Sequence, residues 1–205
     1  SANVAVDLGG ATLQNDVGAT LQAVRSGAGG TITINGVLDN AGTLLVDHDL
    51  TLYSLSGEHI SSGTIDIAAG KTLTVNGVDL INTGTIEGTG TVLLASGAAL
   101  VNDGIIAAAG DEVGTLSVTG NLELGANSDV MIDIGGGGGD RIDASGYILL
   151  DGTLDLNFTD LVPIDGQQFT VMTSNNATLY GGLGADGITG TADDLTHNLG
   201  DDWTV

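Results

Sequence analysis

In 205 residues the chain carries 26 acidic side chains against 3 basic ones, for a formal charge of −23; nucleic acid and anionic membranes are repelled, and a cationic partner or divalent metal is favoured. With 35 glycines and 3% aromatics there is no ordinary globular core of large side chains, although 41% hydrophobic residues suffice for a thin one, and the lack of cysteine removes disulfides and thiolate metal sites. No apolar run reaches the roughly 18 residues of a membrane-spanning helix, so membrane insertion is not expected. The start at Ser1, without methionine or signal sequence, is what a processed or excised segment would show.

Residues 1–30 alternate Val4, Val6 and Leu8, then add Leu13, Val17, Leu21 and Val24. ATLQAV has some helical spacing, and Leu21 and Val24 suit covering the open end of a stack of strands, which natural proteins must protect. The segment reads as an N-terminal cap or first strand. Val4, Val6 and Leu8 form a strand that either pairs within its own first coil or adds to a neighbouring molecule.

From Thr31 to Gly104 the same sentence is written four times, closing on Gly42, Gly63, Gly84 and Gly104, about 20 to 21 residues apart. A period in that range signals stacked coils. Thr31, Thr51, Thr72 and Thr91 align, as do Ile32, Leu52, Leu73 and Val92, and Gly36, Gly57, Gly77 and Gly97. Asn40, Ser61, Asn82 and Asn102 stand two positions before the closing glycines, where stacked amides hydrogen-bond from coil to coil. Each coil contains three short alternating runs, such as TIDI, KTLTV and VDLIN, separated by glycine or asparagine at the corners. Alternation turns Ile65, Ile67, Leu73 and Val75 inward and Thr64, Asp66, Thr72 and Thr74 outward. The expected fold is all-β: a right-handed parallel β-helix (a β-solenoid) over residues 31–173. A left-handed helix of hexapeptides, closing in about 18 residues, ranks second.

Beyond Gly104 the repeat loosens. LSVTGNLELGANSDVMIDIGG offers Leu116, Val118, Leu122, Leu124, Val130, Ile132 and Ile134 as inward residues, and DRIDASGYILLDGTLDLNF offers Ile148, Leu150, Leu154, Leu156 and Phe158. With the PIDGQQFTVMTS that follows, these stretches resemble the β-helical passenger regions of bacterial autotransporters and related giant secreted adhesins. That resemblance covers roughly residues 31–175. It implies an extracellular or cell-surface module serving adhesion, aggregation or scaffolding, with a surface polysaccharide or protein, or a second copy end to end, as partner. No membrane barrel follows in this sequence.

Residues 174–205 form an irregular acidic segment rich in Asp, Gly and Asn, ending near Trp203, which suits sealing a core end. Two places suit calcium, a hard cation that takes oxygen ligands. In ADGITGTADD, Asp186, Asp193 and Asp194 sit around two glycines. In GGGGGDRID, Asp140 and Asp143 follow a glycine run that fits a single copy of a calcium-binding nonapeptide. Both also read as solvated or connecting loops.

Catalysis is not expected. Arg25, Lys71 and Arg141 lie on different coils, leaving a polysaccharide lyase without a cationic site, and the best carboxylate pair for a glycoside hydrolase, Asp66 with Glu87, has no aromatic sugar platform. His48, His59 and His197 occupy unrelated contexts. An ice-binding Thr-x-Thr array, hinted at by Thr31/Thr33 and Thr72/Thr74, is interrupted by Tyr53 and Leu93 in the expected register. The expected function is a non-enzymatic structural or adhesive β-helix module, with a carbohydrate-active β-helix enzyme as the alternative.

Overall fold

The computed structural model describes residues 3–26, 29–109, 113–159, 161–162 and 167–175, and the backbone alone of Leu179–Gly181 and Thr196–Asn198. It is a β-solenoid of about six turns, without a helix among the described residues. Its strands stack in parallel as three walls. The first wall comprises Thr20–Ala23, Thr43–Val46, Thr64–Ile67, Thr85–Gly88, Ile105–Ala108, Asp129–Gly135, Thr153–Thr159 and Thr196–Asn198. The second runs from the N-terminal half of Ile32–Asn40 through Leu50–Tyr53, Thr72–Asn76, Thr91–Ala95, Thr115–Thr119 and Arg141–Ala144 to Met172–Ser174. The third starts in the C-terminal half of Ile32–Asn40 and continues through His59–Ser61, Leu80–Asn82, Ala99–Asn102, Asn121–Leu124 and Ile148–Leu150 to Leu179–Gly181. Because Ile32–Asn40 runs unbroken around a corner, the second and third walls join in one 14-stranded sheet, while the first belongs to a 9-stranded one.

Residues 4–23 are the first coil, the strands Val4–Asn15 and Thr20–Ala23 joined by a turn. Val4–Asn15 pairs in parallel with Ile32–Asn40, with a register break between Asp7 and Thr12, and Thr20–Ala23 pairs with Thr43–Val46. Val4 and Val6 thus pair with Ile32 and Ile34 of the same chain, while Leu8 falls in the register break.

The interior is a column of aliphatic side chains. Ile65, Ile67, Leu73 and Val75 are fully buried, as are Leu116, Leu122, Val130 and Ile132 further on. Leu150, Leu154, Leu156 and Phe158 are only partly buried against this core, and Phe158 meets Phe169 edge to face at 6.2 Å. One register differs from the sequence expectation. Thr33, Thr51 and Thr74 are in line, followed by Leu93, and Tyr53 pairs with Asn35 and Asn76. Thr51 and Leu52 therefore stand two residues away from their expected neighbours. The cause is unequal coils: the turn at Asp47–Asp49 is short and the one after Tyr53 is long. A shift of two preserves the facing of every side chain, so the core is unaffected. It also means that Leu93, not Tyr53, interrupts the threonine column.

The two glycine registers have different causes. At Gly77, φ of +96° is a left-handed conformation that favours glycine. The closing glycines are needed for close approach instead: a Cβ on Gly63 would land on the Gly42 carbonyl oxygen, one on Gly84 on the Gly63 oxygen, and one on Gly104 on the Gly84 oxygen. These oxygens are committed too, since the Thr64, Thr85 and Ile105 amides donate to Gly42, Gly63 and Gly84 at 2.9, 2.9 and 2.7 Å.

Beside this corner runs the buried amide ladder. Asn15 Nδ2 donates to Asn40 Oδ1 at 2.7 Å, and Asn40 Nδ2 to Ser61 Oγ at 3.1 Å. Asn82 Nδ2 donates to Asn102 Oδ1 at 2.7 Å, and Asn102 Nδ2 to Ser128 Oγ at 2.7 Å. Asn15 and Ser128 extend the series read from sequence. Ser61 is too short to reach upward, which leaves Asn82 Oδ1 buried without a partner.

Two substitutions test this account. Gly84→Ala places a methyl against backbone that cannot yield and should cost more than about 3 kcal/mol in chemical denaturation. Ser61→Asn should close the ladder and stabilise by about 1 kcal/mol, since it satisfies a buried acceptor; a lowered melting temperature would mean that the corner lacks room for the larger amide.

Candidate functional site

The turns joining the first wall to the second bring together what the sequence separates. Arg25 follows Thr20–Ala23, the run Asp47–His48–Asp49 follows Thr43–Val46, and Lys71 follows Thr64–Ile67. Stacking places these turns on one corner, where Arg25, Lys71, His48, Asp47 and Asp49 line an open cleft of about 550 Å³. Arg25 and Lys71 do lie on different coils, as expected, yet they line this one cleft together. Its carboxylates are held by neutral donors: Gln22 Nε2 donates to Asp47 Oδ2 at 2.6 Å, and the Thr72 amide to Asp49 Oδ1 at 3.0 Å. His48 Nε2 donates to the Gly30 carbonyl at 2.8 Å. Arg25 Nη1 is buried without a hydrogen-bond partner. Among the described residues the one ion pair is Arg141 with Asp143, at 2.6 Å, so Arg25 and Lys71 lack a carboxylate partner.

Of the calcium candidates, Asp186, Asp193 and Asp194 lie outside the described residues, as does Trp203. Asp140 is buried and tied to backbone through both oxygens, accepting from the Gly114 amide at 2.7 Å and the Asp133 amide at 3.1 Å. The glycines before it form a small antiparallel hairpin in which Ile134 pairs with Gly139. Asp143 accepts from Arg141 and, at 2.6 Å, from Thr173 Oγ1. Each carboxylate is therefore occupied by protein donors in its own place. No group of three or more His, Asp or Glu side chains gathers for a metal among the described residues.

On the first wall Asp66 and Glu87 are direct neighbours, as the repeat implies, with Leu45 before them and Ala107 and Met131 after. Burial, and then the nearby Asp47 charge, raise the Asp66 carboxyl above its ordinary range. On the third wall Ile60, Ile81 and Val101 form an outward apolar column, with Ile60 exposed. No protein-family model matches the chain, nor does any curated protein or solved structure.

His59 is the buried group least legible in the sequence. It occupies a core column in line with Leu80, Leu100, Leu122 and Ile148. Its Nδ1 accepts the Leu38 amide at 3.0 Å, so the ring takes the place of a backbone acceptor, and Nε2 is buried without a partner. Burial lowers its pKa to about 4.

The unfolded histidine takes up its proton near its ordinary value of 6.5, before the folded one does. Stability linked to His59 is therefore fully present above that value and declines as the pH falls towards 4. Asp66, Asp129 and Asp140, all raised chiefly by burial, act in the opposite sense, because the folded state holds their protons more tightly than the unfolded chain does. His59→Leu removes only the histidine contribution. Between pH 7 and pH 4.5, unfolding free energy by denaturant titration should fall by roughly 2 to 3 kcal/mol more in the parent than in this variant. Parallel pH profiles would mean that His59 is protonated at no cost.

Proposed function

We propose that the chain is a non-enzymatic, extracellular structural or adhesive module of a bacterial surface or matrix protein. The observation that supports this most is how the interior is used. Aliphatic columns, the amide ladder and backbone-on-backbone corners occupy the inside, leaving three long walls whose outer columns are free to meet a partner. The formal charge of −23 opposes side-by-side aggregation of such modules in solution. The apolar Ile60, Ile81 and Val101 column offers an adhesive stripe on one wall.

End-to-end association is part of the proposal. Val4–Asn15 pairs along one edge with Ile32–Asn40, and along its other edge it has no strand partner among the described residues. Val6, Leu13, Leu21 and Ile32 surround an apolar hollow beside it. A strand or coil laid there would continue the sheet and cover the hollow. Calcium, held by Asp186, Asp193 and Asp194, is the proposed stabilising ion, by relieving carboxylate repulsion and binding the native state.

The stacked Asp66–Glu87 pair favours the second reading, a carbohydrate-active β-helix enzyme, since adjacent strands lie only about 4.8 Å apart. Electron microscopy and light scattering of the purified chain, with and without millimolar calcium, are expected to show rods that associate end to end and melt at higher temperature with the ion. A strict monomer at high concentration would remove the assembly, and an unchanged melting temperature would remove calcium. Release of sugar from acidic or neutral polysaccharides, lost in Glu87→Gln, would replace the structural reading with the enzymatic one.

A further inference from the structure

We propose that the corner cleft holding Arg25, Lys71 and His48 binds a uronate residue of an acidic polysaccharide, with the sugar carboxylate on the two cations and its hydroxyls on Asp47 and Asp49. The first ground is the use of positive charge. The chain has 3 basic side chains; Arg141 is spent on Asp143, and the other two meet in one cleft. Nearby acids do not consume them, because Asp47 is held by Gln22 and Asp49 by the Thr72 amide. Arg25 Nη1, buried and unpartnered, is a donor awaiting an acceptor, and a guanidinium matches the planar fork of a carboxylate.

The second ground selects among anions. Asp47 and Asp49 lie beside the cations, and the whole chain is strongly negative. A phosphate dianion meets about twice the repulsion of a single carboxylate at equal distance. Among the described residues Asp47 Oδ1 and Asp49 Oδ2 have no hydrogen-bond donor, and in the presence of a polyol they accept hydroxyl protons. His48 Nε2 is fixed on the Gly30 carbonyl, which holds the ring in one orientation at the cleft wall. A monovalent carboxylate carried on a ring of hydroxyls answers all of these groups. The volume of about 550 Å³ suits one or two sugar rings, and because the cleft is open, a longer chain can pass through.

This inference does not depend on the adhesive reading, since a module that neither polymerises nor adheres still carries the cleft. The probes are oligogalacturonate, free glucuronic acid, a neutral glucose oligomer and inorganic sulfate, titrated calorimetrically into the intact chain at low salt without calcium. Saturable binding of the oligouronate is expected, weakening as sodium chloride is added. Free glucuronic acid should bind the same site more weakly, and the glucose oligomer and sulfate about tenfold more weakly than the oligouronate or worse. Arg25→Gln with Lys71→Gln should lose at least about tenfold in affinity, while Arg141→Gln should not change it. Lys71→Gln alone serves should the double variant fold poorly, and circular dichroism reports that independently. Absence of saturable oligouronate binding, sulfate binding as tightly as uronate, or full affinity in folded variants lacking the cations would each overturn the assignment.

Discussion

Everything in this solenoid depends on how closely one turn of backbone approaches the next at a single corner. Gly42, Gly63, Gly84 and Gly104 stack there with no room for a β-carbon, and the carbonyl beneath each glycine receives the amide that opens the next strand of the first wall. That contact sets the rise from coil to coil, and the walls follow it in register. Because the corner is narrow, the asparagine two positions earlier turns inward and must be satisfied within the core. The ladder from Asn15 to Asn40, and from Asn82 through Asn102 to Ser128, is the result. A buried polar group left alone is expensive, so glycine and asparagine act as one unit, the first permitting the approach and the second using the geometry it creates.

Polar groups elsewhere in the interior follow the same logic of substitution for missing backbone. Where the long turn after Tyr53 withholds an acceptor from Leu38, His59 supplies a ring nitrogen, and where the glycine hairpin interrupts the first wall, Asp140 receives two amides. Each repair brings a titratable group into a place that disfavours its charge. Arg25 and Lys71, in contrast, stay at the margin, in the turns.

Much of this was legible in the chain. From Thr31 to Gly104 the repeat is regular enough that alternation alone separates Ile65, Leu73 and Val75 from Thr64, Thr72 and Thr74, because facing depends on parity and parity is local. What depends on turn length was harder. Thr51 and Leu52 fall two places from their expected neighbours because an average spacing hides one short turn and one long one. Asn15 belongs to the ladder but is separated from Thr20 by a longer turn than Asn40 is from Thr43, so it lies outside the obvious motif. Meeting of Arg25 with Lys71 becomes visible only when coils are aligned on Thr20, Thr43 and Thr64, the column that stacks directly in the first wall.

The unequal turns carry a consequence for how such a chain can change over generations. Core, corner and ladder constrain strands in steps of two residues, whereas the turns between them lengthen or shorten without altering which side chains face inward. Short Asp47–Asp49, between the first and second walls, and the longer stretch after Tyr53, with its exposed Leu55, between the second and third, offset each other within one coil. Recognition elements can therefore be acquired, lost or exchanged one turn at a time, each on its own level of the rod, while the fold beneath inherits none of the disturbance.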